Sequence, residues 1–214
     1  MPPDEELDSL EFSALISSRI CHDIISPVGA IANGLEVLAE ETDEEMREHA
    51  FELIRQSAAQ ASAKLQFARL AFGAAGSKGA EIDLRDAETV SRGILDHEKH
   101  KMEWTGPAAT VAKNKVKLLL NMIAICLAAL PRGGTVKVSI TGEGDAMAFV
   151  VRSEGEKVML AKTIPVLLNG GAGEQLDAHS IQPYYTGQLA AAAEMALKSA
   201  VDADHVELSA APSG

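Results

Sequence analysis

Aromatic side chains are scarce in this chain of 214 residues: one tryptophan, two tyrosines and five phenylalanines, 4 % of the total. With alanine abundant, that shortage favours helices packed through small and aliphatic side chains over a core of stacked rings. Basic residues are also in deficit. There are 19 Lys and Arg against 31 Asp and Glu, a net charge of -12. Such a surface repels phosphate backbones and anionic lipid, so neither nucleic acid nor membrane is expected as a partner. No uninterrupted apolar run approaches the roughly 20 residues that span a bilayer. The opening stretch MPPDEELDSLE is acidic and lacks the order of a signal peptide. The only two cysteines, Cys21 and Cys126, lie in apolar helical surroundings and read as reduced core thiols. The expected compartment is therefore the cytoplasm. What the chain does have is 47 % apolar residues, enough for one large domain or two small ones.

Residues 7–41 read as one long helix. Ala14, Ser17, Cys21, Ile24, Val28, Ile31, Leu35 and Leu38 recur at alternating steps of three and four, the spacing of a helix buried along one seam. Pro27 removes a backbone donor inside it and is expected to bend it. Thr42 and Glu45 have the spacing of a capping box that opens a second helix. Its inner face is marked by Met46, Ala50, Leu53, Ser57, Ala61, Leu65, Ala68 and Phe72. A turn this short makes the helices antiparallel neighbours. A lone hairpin would leave much of its stripe in water, so two copies are expected to pair as a four-helix bundle, a homodimer.

After the linker Gly73–Ala80 the pattern changes. Helices are expected over 87–97, 113–130, 158–168 and 187–200, and strands over 101–104, 135–140, 146–152 and 205–210. The fold class is thus α+β, a helical hairpin (1–76) followed by a sheet covered by helices (77–214).

The segment Ile20-Cys21-His22-Asp23-Ile24-Ile25-Ser26-Pro27 carries the chemistry. His22 follows the seam residue Cys21 and so turns about 100° away from it, toward solvent. Ser18 and Ser26 lie one turn to either side, and Gly29 two turns on. These small residues leave room for another protein. An imidazole is partly neutral at cell pH, so one ring nitrogen is free to attack phosphorus. Asp23 is placed to take the proton of the other nitrogen and orient the ring, and Arg19 to offset phosphate charge.

This run resembles the phospho-acceptor box of histidine kinases. The resemblance implies His22 as phospho-acceptor, Asp23 as acidic base and Ser26 as the polar position linked to phosphatase chemistry. Ile25 departs from the usual basic residue. The run Leu118–Gly134 resembles the N-box of kinase catalytic domains, but Ile125 stands where an asparagine holds Mg²⁺, and a hydrocarbon cannot ligate a hard cation. Ser153 stands where an Asp reads adenine. Glu154 and Glu156 add charge against a triphosphate. Gln182-Pro183-Tyr184-Tyr185-Thr186 resembles the run before the last catalytic helix, without the Gly-x-Gly loop that should follow.

A paired histidine hairpin with an ATPase-like unit lacking ATP ligands is similar to the bacterial histidine phosphotransferases, over nearly the whole chain. That likeness implies transfer to His22 from the receiver domain of a hybrid histidine kinase (CckA type). Onward transfer goes to response regulators (CtrA and CpdR types). Ser18, Arg19, Ile25 and Gly29 would meet the receiver. No cofactor is expected, the Mg²⁺ belonging to the receiver. The rivals are an active kinase with a divergent ATP site and a non-catalytic dimeric scaffold. Asp96, His97, Glu98 and His100 read as a solvated helix end rather than a metal site. Asn169–Gly173 reads as a flexible turn rather than a phosphate loop, Ala190–Ala193 as helix propensity, and Tyr184 and Tyr185 as packing residues.

Overall fold

A computed structural model describes residues 8–73, 80–95, 99–171 and 176–213. Helix α1 (Ser9–Glu40) and helix α2 (Glu44–Ala71) form the antiparallel hairpin. Asp8 caps α1, its carboxylate accepting from the Leu10 amide. The cap of α2 is Asp43, one residue past the expected Thr42, accepting from the Met46 amide at 3.1 Å. Small residues let the helices approach closely. A Cβ on Gly34 would stand 2.6 Å from Ile54 Cγ1, and Ala50, Ser57 and Ala61 are buried along the facing side of α2.

The helices lend each other hydrogen-bond donors where their own run out. The last carbonyls of a helix have no partner within it. Arg47 of α2 fills that need for α1, its Nη1 donating to Leu38 O at 2.6 Å and Glu41 O at 3.0 Å. α1 runs unbroken across Pro27, which is buried. Proline has no N–H, so the carbonyl of Asp23, four residues earlier, loses its helical donor. Lys64 of α2 replaces it, Nζ donating to Asp23 O at 3.0 Å.

Strand β1 (Glu81–Asp83) leads into α3 (Leu84–Gly93), with Asp83 as its cap. Then come β2 (His100–Thr105), β3 (Thr110–Ala112), α4 (Lys113–Ala128), β4 (Gly134–Thr141) and β5 (Ala148–Glu154). The chain closes with α5 (Ile164–Leu168), α6 (Ile181–Ala192), β6 (Met195–Val201) and β7 (His205–Pro212). The main sheet runs β2-β4-β5-β7-β6, with β2 parallel to β4 and the remaining pairs antiparallel. β1 and β3 make a separate antiparallel pair.

Alternation along the strands aims Val136, Val138, Ile140, Phe149, Val151, Val206 and Leu208 at one face. There α4 lies, with Leu118, Leu119, Leu120, Met122 and Ile123 fully enclosed. Each such side chain contributes about 1.5–3 kcal/mol by leaving water, so α4 is the centre of the core. The opposite face carries a charge ladder: Lys137 Nζ stands 2.7 Å from Glu154, and Arg152 Nε 2.8 Å from the same carboxylate. Glu154 is thus held below the usual carboxylate range, chiefly by its hydrogen bond from Lys137.

Several sequence expectations are corrected. The helix expected over 187–200 divides into α6 and β6, because Glu194 takes a left-handed φ of 55° and residues 195–201 pair with β7. The helix expected over 158–168 shrinks to α5, with Pro165 in its first turn, where a missing N–H costs nothing. α3 begins three residues early, at Leu84, and ends at Gly93; its expected end at His97 lies outside the described residues, as do Asp96, Glu98, Ala172, Gly173 and the linker from 74 to 79. Among the described residues no metal-binding cluster forms, and His100 Nε2 instead lies 3.1 Å from the Leu130 carbonyl. Cys126 is buried as expected, but Cys21 is exposed. With it on the surface are Val28, Leu35, Met46, Leu53 and Leu65, all expected on inner faces. No described helix is long and apolar enough to cross a membrane.

Candidate functional site

His22 stands near the middle of α1 with its side chain 57 % exposed. Ser18, Ile25, Ser26 and Gly29 are exposed around it, Ile25 at 71 %. A Cβ on Gly29 would meet nothing within 4 Å, so this face of the helix is open. The expected grouping of small residues beside His22 is therefore present.

The carboxylate of Asp23 is engaged elsewhere. Its Oδ2 accepts from Arg19 Nε at 3.0 Å, one turn back. The other oxygen lies 3.7 Å from His22 Nδ1, beyond hydrogen-bonding distance. Asp23 thus neutralises Arg19 and is not hydrogen-bonded to the ring. The backbone beneath is held by the Lys64 bond to Asp23 O, so the segment bearing His22 and Asp23 is pinned to α2 despite the proline.

The C-terminal layer reaches this site through the turn before α6. His179 packs edge-on against His22, ring centroids 4.7 Å apart and planes at 79°. Phe12 and Phe72 flank Tyr185 at 5.6 and 5.8 Å, seating both hairpin helices on α6. The end of α2 is tied to α4: Lys117 Nζ donates to Phe72 O, and Asn121 Nδ2 to Ala71 O at 3.3 Å. Asn121 Oδ1 in turn accepts from Gln182 of α6 at 3.2 Å. Burial drives the Lys117 amine below its ordinary range.

Two cavities open between these elements. One, of about 210 Å³, is lined by Arg19, Asp23, Lys64, Phe67, Leu127 and Gln182. The other, of about 330 Å³, is lined by Arg19, Ile125, Met159, His179, Gln182 and Pro183. Ile125, 4 % exposed, presents only hydrocarbon there. Ser153 is fully buried in β5, its hydroxyl donating to Val206 O at 3.3 Å. Glu154 is neutralised by Lys137 and Arg152, so its charge opposes a triphosphate less than its sequence position suggests.

Sequence reasoning missed Lys64 and His179. Lys64 had a signal: a proline inside a helix orphans the carbonyl four residues back, and some donor must answer it. His179 had none, since only the tertiary docking of α6 brings it to α1.

Fold and relatives together define the class, a phosphotransferase. The chain belongs to the histidine phosphotransferase family: the family model for the histidine phosphotransferase C-terminal domain matches residues 84–205. A curated relative, the protein phosphotransferase ChpT of Brucella abortus (strain 2308), is 47 % identical over 205 residues, covering 95 % of this chain and 97 % of that one. A solved bacterial phosphotransferase superposes with a TM-score of 0.88 at 45 % identity, over 97 % of this chain and 98 % of the other.

Proposed function

We propose that His22 is the phosphoryl carrier. It accepts the group from the receiver aspartate of a hybrid histidine kinase (CckA type). It then passes it to response-regulator receivers (CtrA and CpdR types), without binding ATP. The observation that carries this reading is an open imidazole on a pinned helix, with Ser18, Ile25, Ser26 and Gly29 exposed about it.

In the loading step a neutral ring nitrogen of His22 attacks the receiver's aspartyl phosphate in line. The N–P bond forms as the O–P bond breaks, and the electron pair returns to the aspartate. The proton on the other nitrogen leaves toward Asp23, which closes the 3.7 Å gap by turning from Arg19. In the unloading step a second receiver aspartate attacks, the N–P bond breaks and the ring recovers its proton. Such chemistry asks mainly for positioning and charge neutralisation. The released Arg19 supplies a cation, and Ser26 a hydroxyl one turn from the ring. The Mg²⁺ of the reaction belongs to the receiver.

The residues at the former nucleotide positions do not suit Mg²⁺-ATP. Ile125 offers no oxygen to a hard cation, and the Ser153 hydroxyl is spent on Val206. The chain divides into a hairpin unit (1–76) and an α/β docking unit (77–214), acts in the cytoplasm, and pairs with a second copy. Pairing is supported by the exposed Val28, Leu35, Leu53 and Leu65, an apolar face that a four-helix bundle would cover. Incubation with a labelled phospho-receiver should label His22, while labelled ATP alone should not. Stable phosphohistidine from ATP would instead establish the kinase reading, and receiver binding without label the scaffold.

A further inference from the structure

The turn before α6 presents a second imidazole to the first. His179 is held there by Asp177, whose Oδ1 accepts from the amides of His179 at 2.9 Å and Ser180 at 2.7 Å and from the Ser180 hydroxyl at 2.7 Å. That triple acceptance fixes the backbone of a surface turn, and the ring then lies edge-on to His22 at 4.7 Å between centroids. The two rings are in contact, so a phosphoryl group on His22, one N–P bond and one P–O bond beyond its ring, places its oxygens beside the His179 ring. Arg19 also lines the cavity that His179 borders, as a second donor in an otherwise mostly apolar lining, and the carboxylates nearby are those of Asp23 and Asp177. The residues of the acceptor box around His22 leave His179 without a task.

We propose that His179 is a phosphoryl-binding residue, its ring N–H donating a hydrogen bond to the phosphoryl group carried on His22. The C-terminal unit then contributes directly to the reaction rather than serving only as a docking surface. The bond exists only in the loaded state, so it stabilises phospho-His22 relative to the phosphorylated receiver and leaves the unloaded protein unchanged. Nothing is transferred to His179, and its proton stays on the ring.

The inference rests on His22 being the carrier, and the two are separable by experiment. Full-length protein is equilibrated with a labelled phospho-receiver, and the partition of label is measured for the wild type, His179→Ala and His179→Arg. The expected result is that His179→Ala still loads at His22 but shifts the equilibrium about tenfold toward the receiver, about 1.4 kcal/mol. His179→Arg, which keeps an N–H donor, should restore most of it. On loading of the wild type, the ring ¹⁵N resonances of His179 should move together with those of His22. An unchanged partition in His179→Ala overturns the proposal. So do equal losses in the Ala and Arg variants, which would mark a purely structural role. If the wild type takes no label on His22, the carrier reading itself has failed.

Discussion

Pro27 and Lys64 form a compensating pair, and the compensation is measurable. Proline leaves Asp23 O without its helical donor, and Lys64 supplies one at 3.0 Å in a partly buried setting. Lys64→Met keeps the stem's packing but removes the donor. A hydrogen bond involving a charged group contributes about 1.5–3 kcal/mol; partial burial lets water replace some of this, so a loss of about 1–2 kcal/mol is expected. For a chain of this size that lowers Tm by about 2–4 °C per kcal/mol. In a Pro27→Ala background the residue-27 amide donates to Asp23 O, so Lys64→Met should then cost about 0–0.5 kcal/mol. The assay is a double-mutant cycle by urea unfolding, read by circular dichroism, with a coupling energy of about 1 kcal/mol expected. Equal costs in both backgrounds would refute the reasoning. The transfer rate should also fall in Lys64→Met, because the backbone under His22 and Asp23 is no longer pinned.

Asn121→Leu should destabilise by about 1–3 kcal/mol, since Ala71 O and Gln182 Nε2 lose their buried partner; urea unfolding checks this. Gly34→Leu should cost about 1–3 kcal/mol by forcing Ile54 aside, measured the same way. Burial pushes the Cys126 thiol up to about 12 and the Tyr185 hydroxyl to about 12. In native protein at pH 8, iodoacetamide should therefore modify Cys21 alone, and mass spectrometry should find two adducts only after unfolding. Because the folded state holds these protons longer, stability is intact below pH 9. It should fall as pH rises, from about 9 to 12 through Cys126 and from about 10 to 12 through Tyr185, by up to about 1.4 kcal/mol per pH unit for each group, and less in Cys126→Ala. The proposed homodimer predicts that Val28→Lys with Leu35→Lys shifts the sedimentation coefficient from dimer to monomer; a monomeric wild type, or a variant that stays dimeric, would contradict pairing through this face.

Much of this was legible from periodicity. The three-four spacing through Ile24, Ile31 and Leu38 marks α1, and alternation marks β4, β5 and β7, because burial on one face imposes those periods. The same spacing cannot say which apolar stripe faces α2 and which faces away, so it assigns Cys21, Val28 and Leu35 to one buried seam though they are exposed in a single chain. Residues 195–201 carry helix-forming Ala, Leu and Lys yet pair with β7, where a strand edge outweighs local preference. β1 and β3, at three residues each, are too short to show a period. The acceptor box could be read locally, since its chemistry lies within one helical turn. Lys64 and His179 come to it from α2 and α6, across sequence distances that no local pattern records.

The central claim is that His22 itself carries the phosphoryl group. His22→Gln preserves size and hydrogen-bonding capacity on an exposed helix face, so the fold should be unchanged by circular dichroism. The decisive measurement is transfer of label from a phosphorylated receiver, through this protein, to a second receiver. The wild type should become labelled and the second receiver follow, whereas His22→Gln should show neither. Undiminished transfer to the second receiver by His22→Gln would contradict the account.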